Sequence, residues 1–142
     1  MKFLITMSRK AAEILDFLTN FEDCEEEGYK KLDNGGPGIM AVTIESLSSS
    51  KDGATYSITH YFESNGDLVP DPDMVFLKKK GNKMNLWFPL SFQDQAIYDE
   101  VDPEDPDIEP QKCMADFAET WLRAIVMQQK LPIDIESEPY RG

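Results

Sequence analysis

A chain of 142 residues has the length of one domain, and with 41% hydrophobic and 11% aromatic residues it can build a packed core. Asp and Glu number 27 against 14 Lys and Arg, a formal net charge of −13. That excess opposes direct contact with nucleic acid or an anionic membrane, both negative themselves, and leaves basic partners, metal ions or solubility as uses for the acids.

Met1 to Thr6 opens like a signal peptide, but Arg9, Lys10, Glu13 and Asp16 follow at once. A secretory core needs about 7–15 apolar residues and a membrane span about 20, so a cytoplasmic protein is expected. Cys24 and Cys113 are far apart, without a CxxC or Cys/His cluster, and read as free thiols.

Ala11, Ile14, Leu15, Leu18 and Phe21 recur at helical spacing, and Ser8 is a suitable N-cap, so a helix over about 8–20 is expected. An acidic run, Glu22 to Glu27, and the Asn34-Gly35-Gly36-Pro37-Gly38 punctuation separate it from the next elements. From Ile39 the period becomes two. Met40, Val42 and Ile44 share one strand face; after a turn over Ser48–Gly53, Ala54, Tyr56, Ile58, His60 and Phe62 share another. A third strand, Met74 to Lys80, meets a fourth, Lys83 to Phe92, across Gly81-Asn82, a pair suited to a two-residue primed turn. Pro89 cannot donate to a ladder, which makes the fourth strand an edge, bulged or shortened there.

Residues 94–109 hold eight acids, no base and two prolines, a composition that favours an exposed loop. From about Pro110, Met114, Phe117, Ala118, Trp121, Leu122 and Ile125 form the apolar stripe of a core-facing helix that ends near Lys130. The pattern is α+β: a four-stranded antiparallel meander flanked by an N-terminal and a C-terminal helix packed on one face. Residues 1–132 form the single domain and 133–142 an extended acidic tail.

His60 is the only histidine, which excludes paired-histidine metal motifs; its parity puts it on the apolar strand face, where an imidazole is more often a satisfied core group than a catalyst. The densest polar constellation is His60, Glu63, Asn65, Asp67, Asp71 and Asp73. Chain reversal at Asn65-Gly66 brings its two arms together, and converging carboxylates would suit a hard cation, but the calcium-loop pattern is absent and Asp and Asn also serve turns. There is no GxSxG, GxGxxG or phosphate-loop motif, and no cofactor is expected. Eight acids over 94–109 give about one charge per 7 Å when extended, against one per ~1.7 Å in duplex DNA, so this loop alone is too sparse for DNA mimicry. The segments 22–27, 94–109 and 134–138 hold 16 of the 27 acids, and mimicry would need them on one face.

His60-Tyr61, Glu63, Asn65-Gly66-Asp67-Leu68, Asp71-Pro72-Asp73-Met74, Phe76, Pro89-Leu90-Ser91-Phe92-Gln93, Tyr98, Glu100-Val101, Phe117, Trp121-Leu122, Ile125 and Gln128 together resemble an uncharacterised bacterial family associated with plasmids, conjugative transposons and phages. Where that pattern has Gly before Tyr98, this chain has Ala96-Ile97. The resemblance covers roughly residues 29–130 and implies a mobile-element setting without an activity. The expected function is a small acidic, non-enzymatic accessory or interaction protein, a monomer or small homo-oligomer with a basic protein as possible partner. The alternatives are a carboxylate-based metal protein or enzyme centred on residues 60–73, and a DNA-mimic inhibitor of a host defence protein.

Overall fold

The computed structural model describes residues 4–22 and 24–135, apart from the side chains of Phe62, Glu63, Ser64 and Leu68. Among them are two helices and six strands: α1 (Arg9–Leu18), β1 (Tyr29–Leu32), β2 (Val42–Ser50), β3 (Gly53–Ser64), β4 (Asp67–Lys80), β5 (Asn85–Gln93), β6 (Tyr98–Glu100) and α2 (Ile108–Gln128). The strands form one antiparallel meander in the order β1-β2-β3-β4-β5-β6. The expected α+β class with an antiparallel sheet is present, but the sheet has six strands rather than four. The two additional strands are the edges, four and three residues long. β1 is too short to show a period, and β6 lies inside the run of acids whose composition reads as loop.

Both helices share a core with one sheet face. Ile44, Ile58, Met74 and Phe92 form one cross-strand row on that face, and Val42 pairs with His60 in the next. Ala11, Ile14, Leu15 and Leu18 of α1 and Met114, Ala118, Leu122 and Ile125 of α2 close over Val42, Ile44, Ile58, Met74, Phe76 and Trp87. Burying a large apolar side chain contributes roughly 1.5–3 kcal/mol, so this layer carries most of the driving force.

Polar side chains fix how the helices sit. Ser8 caps α1 through Ala11 N–H at 3.1 Å, while its own hydroxyl and N–H donate to Glu119 of α2 at 2.6 and 2.8 Å. Asp16 of α1 accepts from Trp87 Nε1 and Asn85 Nδ2, both at 2.9 Å. Two fully buried glutamines, Gln111 on α2 and Gln129 at its C-cap, tie backbone that no ladder satisfies. Gln111 accepts from Ile5 N–H at 2.9 Å and donates to the Pro89 carbonyl at 3.1 Å; Gln129 accepts from Asn34 N–H at 2.7 Å and donates to the Met40 carbonyl at 3.0 Å.

Pro89 sits at a bulge inside the sheet. Val75 pairs with Ser91 and Phe76 with Pro89, leaving Leu90 as the additional residue. The Leu90 carbonyl accepts from Val101 N–H at 2.7 Å, so the irregular backbone remains bonded. Gly81-Asn82 does not form a two-residue turn. Lys80 pairs with Asn85, and Gly81 to Met84 close the connection with Gly81 N–H donating to the Met84 carbonyl at 3.0 Å. A Cβ on Gly81 would lie 2.6 Å from that same oxygen, which explains the glycine by close approach rather than by turn type. The primed turn is at Asn65-Gly66, with φ of 51° and 86°, between the paired Ser64 and Asp67. β4 accordingly begins at Asp67, seven residues before the expected start.

Ile133 and Ile135 lie against the core, and the Asp134 carbonyl accepts from Lys10 Nζ at 2.7 Å. The rest of the expected tail, 136–142, lies outside the described residues. No helix among the described residues is long and apolar enough to cross a membrane.

Candidate functional site

The described side chains of the 60–73 constellation, those of His60, Asn65, Asp67, Asp71 and Asp73, lie at different places on the β3–β4 hairpin. His60 faces the core and is 4% exposed. Its Nδ1 accepts from Trp121 Nε1 at 3.2 Å, and the two rings meet edge to face at 5.4 Å. With Nδ1 accepting, the neutral imidazole carries its proton on Nε2, which is buried and has no partner among the described residues. Burial lowers the His60 pKa, against a smaller opposing pull from Asp71. Asn65 and Asp67 stand exposed at the hairpin tip. Asp71 accepts from Gln95 Nε2 at 3.2 Å. Asp73 is on the sheet face opposite His60, and the Glu63 side chain lies outside the described residues. Among the described residues no three His, Cys, Asp or Glu side chains come close enough to share a metal ion.

Asp73 belongs instead to a different assembly, on the face that the helices leave uncovered. Register aligns one residue from every strand into a continuous row there: Lys31, Thr43, Thr59, Asp73, Gln93 and Tyr98. The neighbouring row is Tyr29, Glu45, Ser57, Val75, Ser91 and Glu100. Side chains in adjacent rows and strands are within mutual reach. Thr59 donates its hydroxyl to Asp73 at 3.0 Å, and Tyr98 donates to Glu100 at 3.0 Å.

The electrostatics tie these groups into one patch. Burial raises the Asp73 pKa, with the Thr59 hydrogen bond opposing in part. Burial raises that of Tyr61 as well, and the Asp73 and Glu45 carboxylates raise it further. At Tyr98 the bond to Glu100 is the largest cause of a raised pKa. Every one of these shifts favours the protonated form. Tyr98 and its neighbour Ile97 are 60% and 55% exposed, which places large apolar surface at the rim of the carboxylates. A half-buried acid, tyrosine rings and exposed apolar surface together suit a cationic side chain on a stem that can lie across the rings.

Apart from Asp73, sequence reasoning missed this face. The signal was the polar parity of β3, where Thr55, Ser57, Thr59 and Tyr61 alternate with the core residues. Which residues stand beside them depends on register through bulges at Leu47, near His60 and at Leu90, and that is not readable from one strand.

A family model described as a domain of unknown function, DUF6908, matches residues 12–131. The chain belongs to this family. The match runs from the first helix past the end of the second, so the whole meander and its uncovered face lie within the DUF6908 domain. No curated protein and no solved structure matches the chain significantly.

Proposed function

We propose that this DUF6908 protein is a small, non-enzymatic interaction protein that receives a basic segment of a protein partner on the uncovered sheet face. The observation that carries this reading is the Thr59–Asp73–Gln93–Tyr98 row, which sets a half-buried carboxylate beside Tyr61, Glu45 and the exposed Tyr98. A lysine or arginine landing there offsets the desolvation of Asp73 and stacks on phenol rings, whereas an anionic ligand meets the carboxylates head on. The cytoplasmic, mobile-element setting implied by the family resemblance belongs to the same proposal, as does a monomeric or small homo-oligomeric state.

The carboxylate-centred alternative gains nothing from the arrangement, because His60, Asp73 and the Asn65–Asp67 tip are separated by the sheet or along the hairpin. DNA mimicry likewise gains nothing from the topology. The acids of 22–27 precede β1 and those of 94–109 flank β6, and these are opposite sheet edges, about 24 Å apart at the usual strand spacing.

The test is titration of the isotope-labelled protein with an arginine-rich peptide, followed by amide NMR. Saturable shifts at Thr59, Tyr61, Asp73, Gln93 and Tyr98 that fade at high salt are expected. Shifts confined to 24–27 or 102–109 would mean non-specific attraction by acidic loops and would remove the reading.

A further inference from the structure

We propose that the cleft between the end of α1, strand β1 and the end of α2 binds a small organic anion with an apolar body, its carboxylate or phosphate headgroup held by Lys30 and Lys130, with Lys31 adding charge from the β1 edge. The cleft has a volume of about 460 Å³, within the usual range for small-molecule sites. Three lysines line it and no carboxylate does so among the described residues, in a chain whose acids outnumber its bases 27 to 14. The cleft meets the uncovered sheet face only at Lys31, at the β1 edge, and has the opposite charge preference, so it neither rests on the proposed partner nor fails with it.

Lys30 is built into the wall. Its Nζ donates to the Phe17 and Asn20 carbonyls at 3.2 and 3.0 Å and lies 5.1 Å from the centre of the Phe17 ring. Two of the three N–H donors are thereby used at the C-terminal end of α1, and the third is left for a ligand. Burial lowers the Lys30 pKa, with Cys24 opposing, and a bound anion would raise it again. Lys31 and Lys130 have no ion pair or hydrogen bond from their ammonium groups among the described residues, so both charges remain available.

Lys130 is the more telling residue. It follows the α2 cap residue Gln129 with φ of 56°, and Leu131 N–H donates back to the Val126 carbonyl at 3.0 Å. That is a Schellman end with lysine at the left-handed position where glycine has no steric cost. The fold would be served by glycine; a cation at the rim is what lysine adds. The apolar part of the ligand has Phe17, Leu32, Leu131 and Pro132 to lie against. Asn20 uses its Oδ1 on Glu22 N–H, which leaves its amide N–H₂ to support the headgroup.

The test is amide NMR titration of the intact protein with octanoate, octyl phosphate and octylammonium in parallel. Saturable one-to-one shifts at Lys30, Lys31, Asn34 and Lys130 are expected with octanoate or octyl phosphate, the tighter of the two identifying the headgroup, and none with octylammonium. The double variant Lys31→Gln/Lys130→Gly should bind the anion about tenfold more weakly, the loss of about 1.4 kcal/mol of charge-assisted contact. Lys130→Gly alone should weaken binding while making the protein more resistant to urea, which separates loss of the site from loss of the fold. Equal binding of octylammonium, no saturable binding of either anion, or wild-type affinity in the double variant would each overturn the proposal.

Discussion

The indole N–H of Trp121 ends on Nδ1 of His60, 3.2 Å away, and this makes the only histidine of the chain an acceptor inside the core. Phe117 stacks on Trp121 at 5.9 Å and Phe92 meets Phe117 edge to face at 5.1 Å, so the imidazole is one end of an aromatic chain that joins α2 to the sheet. Protonating Nδ1 would set two donors against each other.

A pH dependence results. The His60 pKa is lowered in the folded protein, so the unfolded chain binds more protons as pH falls below its ordinary value of about 6.5. The stability that neutral His60 contributes is present in full above that value and is lost progressively as pH drops towards the folded pKa. Urea unfolding at pH 7.5 and 5.5 should show a loss at the lower pH that is smaller in His60→Gln, which cannot titrate. An equal loss in both proteins would assign the acid sensitivity elsewhere.

Asp73 has the opposite sign. Its pKa is raised by burial, so the folded protein holds that proton to higher pH than the unfolded chain. Its contribution to stability is present below the ordinary carboxylate range, about 3.9, and is lost as pH rises through the raised folded value. Asp73→Asn keeps an acceptor for the Thr59 hydroxyl and removes the charge. It should therefore be more stable than wild type at pH 7, with the difference shrinking towards pH 4. A less stable variant at pH 7 would show that a neighbouring cation already compensates Asp73.

The buried amides give a prediction on packing. Gln111→Met retains the length of the side chain but leaves Ile5 N–H and the Pro89 carbonyl without that partner. A cost of about 1–3 kcal/mol in urea unfolding is expected for the orphaned groups. A neutral result would mean that the bulge at Leu90 relaxes to bond them otherwise.

At the hairpin tip, Gly66 has φ of 86°, and a methyl group there would meet open space, since nothing lies within 4 Å of where a Cβ would stand. The cost of Gly66→Ala is conformational alone, about 1–2 kcal/mol. Thermal unfolding measures it, and an unchanged midpoint would show that the turn is not formed cooperatively with the sheet.

How much was legible depends on the physics of each feature. Helix periods are local and long, so Ser8, the α1 stripe and the α2 stripe from Met114 to Ile125 could be read directly. Pro89 announced an interruption, because a missing donor is a property of one residue; that the sheet continues past it as β6 depends on Val101 reaching the Leu90 carbonyl, a contact no local pattern records. Asn65-Gly66 and Gly81-Asn82 look alike as dipeptides, and only the length of β4 between them decides which is the primed turn. His60 and Asp73 are close in sequence and both polar, yet the folded hairpin puts them on opposite faces. The Lys31–Tyr98 row is formed by six strands in register and exists only in the folded sheet.

The interaction proposal is tested most directly by moving the same charge change to two places. Glu45→Lys/Asp73→Lys/Glu100→Lys alters the sheet face, and Glu25→Lys/Glu26→Lys/Glu27→Lys alters an acidic loop; both change the net charge from −13 by the same amount. Each protein, verified as folded by circular dichroism, is used to capture partners from bacterial lysate at low salt. Loss of a captured basic protein from the sheet-face variant alone is expected. Equal loss from both variants, or its retention by the sheet-face variant, would contradict a basic partner seated on Asp73 and Tyr98.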